Sequence, residues 1–197
     1  AYNGGTLENL TVAGSIEAKD FAAGIFAASL PMKEEDETLS KLVNHAKVTA
    51  DGTAAGIVAQ TKEKVLLEDC VNTGVIEAAV AAGITTAECE NLVLMRCQNY
   101  APIISSDNES YGITSNLTAN LTDCVGVSEN VYPIAADANE SENCLYFISG
   151  GEKLEDALLA DICDISLTIG ETDANGSYRE YPFVKASEKQ LENLIKH

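Results

Sequence analysis

Cysteine, histidine and carboxylate side chains are where this chain could do chemistry, and the cysteines are the most regularly placed. Cys70, Cys97 and Cys124 follow one another at intervals of 27 residues, and Cys144 comes 20 later. No Cys-x-x-Cys or His-x-x-x-His spacing is present, so a zinc site has little support. One cysteine per repeating unit instead points to a column of stacked thiols. Neighbours in such a column have a Cα separation that a disulfide tolerates, but their Cβ vectors run parallel, which suits the bond poorly. Free core thiols serving as small hydrophobes are therefore expected, with disulfides and metal as the lesser alternatives. His45, the one internal histidine, takes the place in its unit that cysteine takes later, which makes it a core or edge residue before a catalytic base.

Asp107-Asn108-Glu109 and Asp137-Ala138-Asn139-Glu140 fall at a similar place in successive units. Stacked, they would form an acidic rim with oxygen ligands for Ca²⁺, although solvated turns are the plainer reading. Apart from this Ca²⁺ option no cofactor is implied. The only arginines are Arg96 and Arg179, and there is no Gly-x-Ser-x-Gly, His-Glu-x-x-His or phosphate-cradling loop. A non-catalytic chain is expected. Tyr100 and Tyr132 lie on comparable segments of neighbouring units and are the candidates for stacking on a ligand's sugar rings.

The elements that must position these residues are repeats. Ala22-Ala23-Gly24-Ile25-Phe26-Ala27 returns as Ala54-Ala55-Gly56-Ile57-Val58-Ala59, then as Ala81-Ala82-Gly83-Ile84-Thr85 and Ser110-Tyr111-Gly112-Ile113-Thr114. Each unit reads as three short β segments between polar turns: a Gly-Ile strand, a segment alternating toward the cysteine, and a brief Val/Ile strand such as Val75-Ile76, Ile103-Ile104 or Val131 to Ile134. Stacked units bring equivalent side chains into ladders about 4.8 Å apart. Gly24, Gly56, Gly83 and Gly112 then form one structural ladder, at a corner that calls for a tight turn or positive φ. Cys70, Cys97, Cys124 and Cys144 form another. A leucine-rich repeat is the rival suggested by Asn91 to Cys97, but it leaves the Gly-Ile strands without a place.

The units Ala54 to Ala59 and Asp69-Cys70-Val71-Asn72-Thr73-Gly74 resemble the GLUG-motif repeats of bacterial surface proteins, and Asn143-Cys144-Leu145-Tyr146-Phe147 resembles the way such arrays close. The resemblance covers roughly residues 4 to 148 and departs from the family where its paired glycine is Ala or Tyr. It implies a right-handed parallel β-helix, export and an adhesin-like or accessory role.

The expected architecture is therefore an all-β, right-handed parallel β-helix (a solenoid) of about five or six coils over residues 1–150, followed by a small mixed α/β capping segment over 151–197. In that segment 154–160 and 187–195 have helical spacing, 162–169 alternates, and Asp173-Ala174-Asn175-Gly176 signals a hairpin. A net charge of −19 argues against nucleic acid and anionic membranes as partners. No segment has the length of apolar residues needed to insert in a membrane. The start at Ala1 without Met suggests a processed or excised form. The functional expectation is a secreted or cell-surface module that binds a glycan or a host or cell-surface protein, or a rigid spacer. A carbohydrate-active β-helix enzyme and a purely structural repeat are the rivals.

Overall fold

The computed structural model describes residues 6–27, 37–61, 64–87, 92–127, 132, 134–147, 171–172, 178–179 and 184–185. These residues form an all-β parallel solenoid. The first coil contains β1 (Thr6–Glu8), β2 (Thr11–Val12), β3 (Ser15–Ala18) and β4 (Phe21–Ala23). The second repeats it as β5 (Glu37–Ser40), β6 (Val43–Asn44), β7 (Lys47–Ala50) and β8 (Thr53–Ala55). The third and fourth merge the last two strands, giving β9 (Val65–Glu68), β10 (Val71–Asn72) and β11 (Ile76–Ala82), then β12 (Val93–Met95), β13 (Gln98–Asn99) and β14 (Ile103–Tyr111). Beyond them come β15 (Asn120–Thr122) and β16 (Val125–Val127), then β17 (Glu140–Glu142) and β18 (Leu145–Phe147).

Three parallel sheets result, in the orders β1-β5-β9-β12-β15-β17, β2-β6-β10-β13-β16-β18, and β3 and β4 through β7 and β8 to β11 and β14. Among the described residues four coils have all three faces, fewer than the five or six expected, and the first two faces continue for two more rungs. The reason is visible at Tyr132, which bridges Tyr111, while Ile113 N–H donates to Ile134 O at 2.9 Å. Tyr132 and Ile134 therefore belong with the Gly-Ile segments and not with Ile103. Among the described residues no third-face strand lies between Cys124 and Cys144, a step of 20 residues where the earlier ones are 27.

The turn from first to second face is built the same way six times. Asn9, Lys41, Asp69, Arg96, Asp123 and Asn143 all have positive φ, between 52° and 57°. Asn and Asp tolerate this left-handed region because their short side chains bond locally. Lys41 and Arg96 are long, but they tie adjacent rungs together from outside. Lys41 Nζ lies 2.6 Å from Glu8, and Arg96 reaches both Glu68 and Asp69, the latter at 2.7 Å.

Inward residues stack in columns. Leu39, Leu67, Leu94 and Leu121 form one, Ile57, Ile84, Ile113 and Ile134 another, and all are buried. Each fully buried Leu or Ile contributes about 1.5–3 kcal/mol. Ile16, Val48, Ile76 and Ile103 line the third face.

In the C-terminal segment β19 (Glu171–Thr172) and β20 (Tyr178–Arg179) pair antiparallel on either side of the expected hairpin turn. β21 (Val184–Lys185) joins the second sheet beside β18, so this segment contributes strand where a mixed α/β cap was expected. The helices expected over 154–160 and 187–195, and the strand over 162–169, lie outside the described residues. Among the described residues no helix is long and apolar enough to cross a membrane.

Candidate functional site

Cys70, Cys97, Cys124 and Cys144 stand in one column, all buried and unbridged. Each thiol also reaches backbone carbonyls, as Cys97 Sγ does to Leu67 O at 3.4 Å and Met95 O at 3.6 Å. Burial, reinforced by the neighbouring Cys124 and Cys70 thiols, holds Cys97 well above the ordinary thiol range. The column is continued in earlier coils by Leu42 and Leu10, not by His45. The pairing of Val71 with Val43 and of Thr11 with Val43 fixes this register. His45 is exposed, and its Nδ1 faces Thr73 Oγ1 at 2.5 Å.

Two residues beyond this column lies a feature that sequence reasoning missed. Asn44, Asn72 and Asn99 are fully buried and stack as an amide ladder. Asn44 Nδ2 donates to Asn72 Oδ1 at 2.8 Å, and Asn72 Nδ2 donates to Asn99 Oδ1 at 2.7 Å. Each amide also closes a local ring by donating to the carbonyl two residues on, at 2.9–3.0 Å. The signal is a 28- and then 27-residue recurrence of Asn, inconspicuous because asparagine is usually exposed. The ladder ends at Gly126, opposite Asn99, just where the third face is cut short.

The glycine ladder follows from these amides. Gly24, Gly56, Gly83 and Gly112 all sit in bends, as the expected corner requires, but none has the positive φ that was the other option; among the described glycines only Gly14 does, at 110°. A Cβ on Gly56 would instead strike the Gly83 carbonyl and sit 2.7 Å from Asn72 Cγ, and Gly24 and Gly83 are confined in the same way. Close approach at the bend, not positive φ, requires glycine here.

The two candidate tyrosines do not share a face. Tyr100 N–H donates to Asn72 O and Thr73 N–H to Asn44 O, so Tyr100 follows Thr73 and His45 along the second-face corner. Tyr132 stacks on Tyr111 instead, with centroids 4.8 Å apart and planes within 6°. The acidic turns are separated too. Asp107 to Glu109 form an irregular step in β14 beside Ala78–Val80, whereas Glu140 pairs with Asn120. They do not stack into one rim, and among the described residues no cluster of ligating side chains could hold a metal ion.

What the structure does bring together is an outer groove of about 390 Å³. One wall is the register column Phe21, Thr53, Val80 and Glu109. The other is Ala59, Thr86 and Ser115, each one residue past the bridges that join Val58, Thr85 and Thr114, with Gln60 and Thr61 beside them. Between the walls run Ala23, Ala55 and Ala82, all buried, and the next residue in that column is Tyr111, which lines the groove's end. Tyr111 is only 8% exposed because Tyr132 covers one face of its ring. Phe21, at the opposite end, is 40% exposed. Glu109 is the one carboxylate among the described lining residues, and no lysine or arginine joins it.

The fold and this site define a parallel β-solenoid with a lateral, aromatic-ended groove. No family model matches the chain, and no curated protein or solved structure matches it either.

Proposed function

We propose that this chain is a non-catalytic, adhesin-like binding module of a secreted or cell-surface bacterial protein, and that its lateral groove is the binding face. The groove carries the proposal. It is concave, one wall is made of strand residues paired on successive rungs and the other follows a line of inter-rung bridges, and it mixes apolar surface with a few fixed polar groups, as ligand sites do. The resemblance of Ala54 to Ala59 and Asp69 to Gly74 to surface-protein repeats agrees with it, as does a net charge of −19, which keeps a displayed module soluble.

A glycan-cleaving enzyme is the rival. Glycoside hydrolysis ordinarily uses two carboxylates flanking the bond, and Glu109 stands without a second one among the described lining residues. That favours holding a ligand over cutting it. The test is an array of glycans and matrix proteins probed with the chain, run beside a reducing-end assay on each glycan retained. Retention without turnover is expected, lost in Phe21→Ala and kept in Tyr100→Ala. Release of reducing ends, or an array with no retained ligand, overturns the proposal.

A further inference from the structure

We infer that the occupant of the groove is an uncharged oligosaccharide lying along the solenoid axis; this rests on the groove being the binding face. Direction comes first. The wall columns Phe21–Glu109 and Ala59–Ser115 step through successive coils, four in the first and three in the second, so the groove runs across the strands. The wall from Phe21 to Glu109 spans three rung steps, about 14 Å at the usual strand spacing. An occupant along this axis meets side chains and not an open strand edge. The backbone of the walls is already committed between rungs: Thr53 N–H donates to Asp20 O at 2.8 Å, Val80 N–H to Gly52 O at 3.0 Å, and Thr86 N–H to Val58 O at 3.2 Å. A peptide joining by strand addition needs unpaired main-chain groups. The groove offers it none at these positions.

The side chains have the chemistry that sugars meet. Phe21 presents apolar ring surface at one end, suited to the C–H faces of pyranose rings, and the largely covered Tyr111 closes the other end. Thr53, Ser115 and Gln60 are partly exposed along the length and both donate and accept hydrogen bonds. Thr86 Oγ1 donates its proton to Ala59 O at 2.6 Å, so its oxygen remains an acceptor. Glu109 accepts from vicinal hydroxyls. Charge then excludes the acidic glycans. A polyuronate or sulfated chain would face Glu109 with no cation among the described lining residues to offset it, on a chain of net charge −19.

The experiment is NMR titration of the ¹⁵N-labelled chain with four probes. These are linear β-linked hexasaccharides of glucose and of N-acetylglucosamine, a hexagalacturonate, and a lysine-glycine peptide of similar length. At least one neutral hexasaccharide is expected to shift the amides of Thr53, Thr86 and Ser115, with the uronate and peptide silent there. Phe21→Ala should weaken that binding about tenfold, or about 1.4 kcal/mol, while the variant stays folded at the titration temperature, as its amide spectrum will show. The exposed Glu109→Lys provides a second variant that retains the fold. It should weaken the neutral sugar and let hexagalacturonate into the groove. The inference is overturned if the uronate or the peptide shifts the groove amides of the native chain, or if the neutral sugars shift only residues elsewhere. It is equally overturned if both variants bind neutral sugar as the native chain does. If the array retains a matrix protein through the groove while every sugar is silent, this inference falls and the adhesin-like reading stands. Turnover, or no retained ligand at all, sinks that reading itself.

Discussion

Replacing Asn72 with alanine tests the amide ladder directly. The side chain donates to Gly74 O at 2.9 Å and Asn99 Oδ1 at 2.7 Å, and it accepts from Asn44 Nδ2 at 2.8 Å and Gly74 N at 3.3 Å. Each such bond contributes about 1 kcal/mol net, and more when its partner is left buried and unpaired. Losing all of them should cost about 4 kcal/mol, a large share of the roughly 5–15 kcal/mol that holds a domain folded. Asn44→Ala is the graded comparison. Asn44 sits above Val12, so it has a single inter-rung partner in addition to its bonds with Ala46. Its loss should cost about 1 kcal/mol less. The chain has no Trp, so urea unfolding is followed by far-UV circular dichroism. An unchanged m-value would assign the midpoint shift to stability alone. A loss below about 1 kcal/mol for Asn72→Ala, the range of an ordinary surface substitution, would refute the claim that these amides hold the second corner closed.

Gly56→Ala should destabilise by about 1–3 kcal/mol through overpacking against the Gly83 carbonyl and Asn72. Gly14→Ala, with nothing within 4 Å, should show only backbone strain, so equal losses in denaturant melts would contradict the close-approach argument. Asp123→Val places a β-branched residue at φ 53° and should lower stability by about 1–2 kcal/mol, read from the urea midpoint. The raised Cys97 pKa means that the folded state keeps a proton the unfolded state gives up. Its stabilising contribution is full below the ordinary thiol value of about 8.5 and is lost as pH rises beyond it. Native Tm should fall above that pH more steeply than in Cys97→Ala, and parallel curves would count against a buried thiol column.

The cysteine column was legible because Cys70, Cys97 and Cys124 keep one interval of 27 residues, a regularity that only stacked coils of equal length produce. Its continuation was not. Leu42-Val43-Asn44-His45 mimics Leu67-Glu68-Asp69-Cys70 in pattern, and only strand pairing shows that Leu42 fills the cysteine's place, three residues away from His45. A two-residue strand carries too little alternation to fix its own register. The glycines were legible as a column, but their cause lies across the corner in Asn44, Asn72 and Asn99, which sequence order conceals. The groove was the least legible. Phe21, Thr53, Val80 and Glu109 share no residue type, and they become neighbours only through the stacking of four coils.

Because each of the first four coils donates one side chain to the wall from Phe21 to Glu109, the groove is a ruler graduated in coils. Copying the 27 residues from Cys70 to Arg96 would lengthen it by a single graduation, about 4.8 Å, with the rungs on either side still meeting familiar neighbours. The stacked rings of Tyr111 and Tyr132 act as the stop at the end of that scale. Reach can therefore change by duplication, while the chemistry at each mark changes by point substitution.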